Sequence, residues 1–251
     1  MRNGRGSAYS DYLCLDRILD AQHPRADGDL GCTEHFFIVA HQISELLAKQ
    51  VLLDCAAGAR LMESAQADPA AARGVLVRAS AIVDLMTAHL RVLLKMSPRQ
   101  FAQFRPLLGH ASGAQSRQLH ELFSYLGIQG GTGLLMSAYL GLLSRHELEL
   151  ETVYSPSSGT GVLFDLAEAL ATIAEASWVW QITHIQVAHH MLGSALGTGG
   201  SDGVDHLMRR AVFPFPALWA AKTAALASNQ AHANGSAGVG FPGRDDPGRT
   251  S

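Results

Sequence analysis

Between Asp68 and Met96 the apolar residues Val75, Ala79, Ile82, Met86, Leu90, Leu93 and Met96 recur at three- and four-residue steps, one stripe along an α-helix. Asp68-Pro69 opens that run with an N-cap residue and a proline at the first helical position, where no N–H is needed. Ser97-Pro98-Arg99-Gln100 predicts a second start: Ser97 as cap, Pro98 at N1 and Gln100 at the glutamine position of a capping box. A long helical pattern from about Val162 to Leu196 stops at Gly197, and another runs from Gly203 to about Ala225. Period-two alternation is scarce, so the fold class expected is all-α.

The ends have a different pattern. Residues 1–8 and 22–31 are rich in Gly, Arg, Asp and Pro, and from Ser228 the chain reads SNQAHANGSAGVGFPGRDDPGRTS. Such a polar, glycine-broken run buries too little apolar surface to offset its ordering entropy. The expected organisation is an N-terminal arm over 1–30, one helical domain over 31–226 and a disordered tail over 227–251.

Composition narrows the function. Hydrophobic residues make up 47% of the 251, enough for one sizeable core. The net charge is −3 and no basic run interleaves with aromatics, which argues against nucleic acid. Cys14, Cys32 and Cys55 are odd in number and lack metal spacing, so a disulfide framework is not expected and a reducing cytoplasm fits. No apolar h-region follows Met1-Arg2-Asn3-Gly4, and no stretch approaches the roughly 18 uninterrupted apolar residues of a membrane span. Neither secretion nor membrane insertion is expected.

Of the 12 histidines, His23, His110, His206 and His232 lie in polar contexts, and His89, His120 and His146 suit half-buried helix positions. His41 follows Phe37 by four residues, so both share a helix face, lining either a cavity or an ordinary core. His184 shares its face with Trp180, Val187 and Met191. A dry apolar face keeps an imidazole neutral and suits a heme ligand, though a core histidine fits the same pattern. His184, His189 and His190 do not share one face, against a zinc triad. Gly197-Thr198-Gly199-Gly200-Ser201-Asp202-Gly203 follows a helix and lacks a dinucleotide-binding context; a flexible closing loop with a hydroxyl at Thr198 is expected. Arg105, among aromatic neighbours, needs an anion: a structural carboxylate or that of a substrate.

The order of these features carries more than each alone. Ala8-Tyr9-Ser10-Asp11-Tyr12-Leu13 is similar to the T-Y-G-G-Y-L arm of the tryptophan 2,3-dioxygenase family, and Phe37 through Leu46 to its F-I-x-x-H-Q-x-x-E-L helix. Met96-Ser97-Pro98, Phe101, Phe104-Arg105 and Leu108 through Ser116 resemble M-x-P…F-R…L-G-x-A-S-G-F-Q-S. Trp180 through His184, Leu192-Gly193, Gly197 through Gly200 and Phe215 through Trp219 resemble W-R-x-R-H, I-G, G-T-G-G and F-P-x-L-W. Together these take in most of residues 8–220.

The resemblance implies a helical bundle enclosing a b-type heme, with ferrous iron and O2 acting on an indole amino acid. His184 would ligate the iron, with Trp180 beside it. His41 would accept the indole N–H, Phe37 would pack on the ring, Arg105 would clamp the carboxylate near Phe101, and Thr198 would contact the amino or carboxylate group. Tyr9, Tyr12 and Leu13 would cover the site of a neighbouring subunit in a homotetramer or dimer. The implied reaction is dioxygenation of the indole C2–C3 bond to an N-formylkynurenine-type product. The chain departs from the pattern at Phe101 (Tyr in the family), at Gln181 and Thr183 (both Arg), at Leu47 (Trp) and at Ala114 (Phe), and the stretch from Gly127 to Ser177 is less similar. These departures keep one alternative in view, insertion of one oxygen into a substituted (for example β-methyl) tryptophan; a heme-binding sensor without catalysis is a second, against which the retention of His41, Arg105 and Thr198 argues.

Overall fold

The computed structural model describes residues 7–155, 160–197 and 202–236, with side chains as far as Ser228. The helices are α1 (Ala8–Leu13), α2 (Leu15–Ile18), α3 (Gly28–Glu63), α4 (Pro69–Leu90), α5 (Pro98–Phe104), α6 (Arg117–Leu126), α7 (Leu134–Arg145), α8 (Leu150–Val153), α9 (Gly161–Leu192), α10 (Val204–Arg210) and α11 (Pro216–Ser236). No strand occurs among the described residues, and the all-α class holds.

α4 is the central helix, packed on α3 along one side and on α9 along the other. Its start follows the expected chemistry: the Asp68 carboxylate accepts the Ala71 N–H at 2.9 Å, with Pro69 at N1. Ala72, Leu76, Ala79, Val83, Met86 and Leu90 are buried at helical spacing, with Ile82 half-buried at the stripe's edge. Small residues let the helices close. A Cβ at Gly58 of α3 would lie 3.1 Å from Leu76 of α4, so glycine there sets the approach of the two axes. Asp54 of α3 takes the Nε and Nη2 of Arg78 of α4 at 2.9 and 2.7 Å. α6 and α7 pack on α3. Lys222 docks α11, pairing with Glu168 at 2.9 Å and lying 5.0 Å over the Trp219 ring.

Several boundaries differ from the sequence pattern. Ser97 holds the cap position of α5, but its side chain accepts no backbone N–H, so the capping box does not form. Leu93 lies in a 3-10 turn over Arg91–Lys95 that ends the α4 stripe. α9 stops at Leu192, where Gly193 at φ 55 turns the chain four residues before the expected Gly197. The run from Gly203 is two helices, because Pro214 and Pro216 remove backbone donors around Phe215. Beyond the domain boundary placed at 226, α11 continues to Ser236 through an alanine-rich stretch of high helix propensity. The remainder of the expected tail, 237–251, lies outside the described residues. Among the described residues α3 is the one helix long and apolar enough to cross a membrane. It carries Glu34, Glu45, Lys49 and Asp54 and packs on α4, α5, α6 and α7.

Candidate functional site

Phe37 and His41 stand one turn apart on α3 with ring centroids 4.0 Å apart. Phe101 and Phe104 of α5 close on Phe37 at 5.7 and 5.5 Å and meet each other edge to face at 5.4 Å. His41 Nδ1 lies 2.7 Å from the Phe37 carbonyl oxygen. A carbonyl only accepts, so Nδ1 carries the proton and Nε2 keeps a free lone pair. Burial lowers the His41 pKa, against the raising effect of the Phe37 bond; positive charge on His89 lowers it further and Glu45 raises it. The imidazole is thus neutral near pH 7.

His184 lies on α9. Burial, then the charge of His41, holds its pKa down at about 4. The Trp180 ring stacks on His184 with planes 5° apart and centroids 5.4 Å apart. Among the described residues neither His184 ring nitrogen has a hydrogen-bond partner, and no three His, Cys, Asp or Glu side chains converge to hold a metal ion. His184 is a single neutral imidazole with an uncommitted nitrogen, a donor set that fits an axial iron ligand.

Arg105 follows α5 in a 3-10 turn over Arg105–Leu108. Its Nη2 donates to the carbonyl of Leu196, while its Nε is buried without a partner. Arg78 shows what this side chain does with the same edge, gripping Asp54 through Nε and Nη2 together. Among the described residues no carboxylate pairs with Arg105, and the structural ion pair is not formed. A guanidinium with an unsatisfied buried N–H calls for a further acceptor, which a ligand carboxylate would supply.

The structure therefore clusters Phe37, His41 and Phe101, separately stacks Trp180 on His184 within electrostatic reach of His41, and leaves the buried Arg105 Nε without a partner. Thr198 lies outside the described residues. Tyr9, Tyr12 and Leu13 are 68%, 86% and 36% exposed, and α1 buries none of its residues. Other participants were missed in the sequence. Phe104 is fully buried behind Phe37, and His89 of α4 donates through Nε2 to the Ala40 carbonyl at 2.8 Å, beside His41. Gln181 and Thr183 occupy the family's two arginine positions and are both buried. The Gln181 amide donates to the Val212 carbonyl and accepts the Val212 N–H, each at 3.0 Å.

Known proteins are similar to this chain over most of its length. Tryptophan 2,3-dioxygenase 1 of Ralstonia nicotianae is 28% identical over 264 aligned residues, taking in 87% of this chain and 88% of the relative. Tryptophan 2,3-dioxygenase of Ralstonia pickettii is 28% identical, over 87% of this chain and 93% of the relative. That of Burkholderia pseudomallei is 29% identical, over 86% and 84%. The family model for tryptophan 2,3-dioxygenase matches residues 1–133 and 145–225, leaving out most of α7. This chain belongs to the tryptophan 2,3-dioxygenase family.

Proposed function

We propose that the chain is a heme-dependent oxygenase that cleaves the indole C2–C3 bond of L-tryptophan, giving N-formylkynurenine. One observation carries the reading: two neutral imidazoles lie within electrostatic reach of each other, one with an uncommitted nitrogen and the other with a lone pair fixed by its tautomer. Heme b bound there would supply the iron that activates O2. His184 is the residue that would hold it, and the parallel face of Trp180 limits rotation of that imidazole.

His41 Nε2 accepts the indole N–H and orients the ring; a neutral imidazole with a lowered pKa is a weak base, so its work is alignment more than proton removal. Phe37 packs on the indole, backed by Phe101 and Phe104, and this wall keeps water out. The unpartnered Nε–H of Arg105 holds the carboxylate, and Thr198 contacts the amino acid's polar end. Tyr9, Tyr12 and Leu13 cover the site of a neighbouring copy in a homo-oligomer, a tetramer or a dimer. Three free thiols, Cys14, Cys32 and Cys55, fit a cytoplasmic enzyme.

Both atoms of O2 enter the product, so no outside electrons are consumed. Phe101 favours a second reading. Where the family carries a tyrosine hydroxyl, Phe101 is apolar and buried, which suits a substituted tryptophan that gains one oxygen at the expense of two electrons from a reductant. Aerobic turnover of the heme-loaded enzyme with L-tryptophan and β-methyltryptophan, read by mass spectrometry, decides. A gain of two oxygen atoms on L-tryptophan is expected. One oxygen gained, on the methylated substrate only, selects the second reading, and no turnover of either rejects both in favour of a sensor.

A further inference from the structure

After α9 the chain turns away at Gly193 and returns to the same helix at Val212, where Gln181 receives it. Gln181 lies three residues before His184 and is 7% exposed, so its paired bonds to the Val212 backbone are sheltered from competing water. Trp178 and Phe213 add a ring contact at 5.5 Å beside it. From Val212 back to Gly203 the chain is the single helix α10, which packs on α9. Gly203, at φ 60, approaches so closely that a Cβ would stand 2.4 Å from the Ala195 carbonyl oxygen. Only glycine meets both demands. The next residue after Ala195 is Leu196, whose carbonyl takes the Nη2 proton of Arg105.

We infer that Gln181 and Gly203 are positioning residues for substrate recognition: they fix the Leu196 carbonyl, which in turn aims the guanidinium of Arg105 and its unpartnered Nε–H. One proton of Nη2 goes to Leu196, leaving Nε–H for a carboxylate. The guanidinium plane is set by the Leu196 bond, so a shift of that carbonyl tilts the edge presented to the ligand. Gln181 therefore has a role an arginine at its position would not fill, since a guanidinium has no acceptor for the Val212 N–H. The inference rests on Arg105 holding the substrate carboxylate.

The test compares binding of L-tryptophan with that of tryptamine, which lacks the carboxylate, followed by heme absorbance in the holoenzyme. The wild type prefers tryptophan. In Gln181→Leu and Gly203→Ala that preference falls roughly 2- to 30-fold, with tryptamine affinity and heme content held. Gln181→Met removes both bonds to Val212 with a neutral side chain of similar length, and the preference falls in it as in Gln181→Leu. In an Arg105→Ala background Gln181→Leu adds no further loss, because the residue being aimed is gone. Amide hydrogen exchange in ligand-free Gln181→Leu is faster over Val204–Val212 than in the wild type. Variants that keep the wild-type preference overturn the inference, as does a parallel loss of tryptophan and tryptamine binding, which would mark general damage. A wild type that does not discriminate the two ligands removes the reading of Arg105 itself, a failure distinct from variants behaving as the wild type does.

Discussion

His184 is neutral because burial makes its charged form costly, and the same fact makes it a liability as pH falls. Its pKa is about 4 in the folded chain against 6.5 for a free imidazole. The unfolded chain therefore takes up a proton at a pH where the folded chain does not, and stability decreases as pH drops through this window. Without heme, the protein is expected to keep full stability above about pH 6.5 and to lose it progressively toward about pH 4. His184→Leu removes the titrating group, and its urea midpoint should vary less with pH over that range than the wild type's. Equal pH slopes in both proteins would place the titration elsewhere. The shift of His41 has the same sign. Turnover that needs its lone pair should persist below the ordinary histidine range and fail only once Nε2 is protonated.

Among the elements, α3 and α4 depend on one buried charge. Asp54 is 3% exposed while its partner Arg78 is 59% exposed, so the carboxylate bears most of the desolvation and the arginine can be replaced without opening a cavity. Arg78→Ala leaves Asp54 with Gln50 as its remaining side-chain partner at 2.9 Å. We expect a lower urea midpoint than the wild type's, because the buried Asp54 carboxylate loses its charged donor, with turnover by the folded fraction unchanged. A midpoint equal to the wild type's would show that water replaces the guanidinium freely. This scale also shows what the sequence could and could not reveal. The α4 stripe and its Asp68 cap were legible because periodicity and capping are local. The break at Pro214–Pro216 was hidden by the apolar pattern that continues through it, and the early stop at Gly193 by a second glycine four residues on. His41 and His184 were legible as motif positions. The Gln181–Val212 pairing joins residues 31 apart through backbone atoms, which no side-chain pattern encodes.

Across the whole molecule the N-terminal arm is fixed at its root and bare at its tip. Gln22 reaches Gln42 at 2.6 Å, Gln42 in turn donates to the Ala21 carbonyl, and buried Glu34 accepts the N–H groups of Arg25 and Ala26 at 2.8 and 2.7 Å. The root thus sits beside His41, yet Tyr9, Tyr12 and Leu19 turn their side chains to solvent. Large exposed aromatics on a short helix that buries nothing are costly in water and suit a surface on a second copy. If the arm crosses between copies, activity can be rebuilt from two inactive parts. A chain lacking residues 1–19 keeps His41, Arg105 and His184 but has no arm to lend, whereas a His184→Ala chain keeps its arm but cannot ligate iron. Each alone should be inactive. Co-expressed, the arm of the second completes the site of the first, and heme-linked turnover should reappear in mixed oligomers isolated through distinct tags. Turnover by the truncated chain alone would show that the arm is dispensable, and mixed oligomers that stay silent would confine it to its own chain.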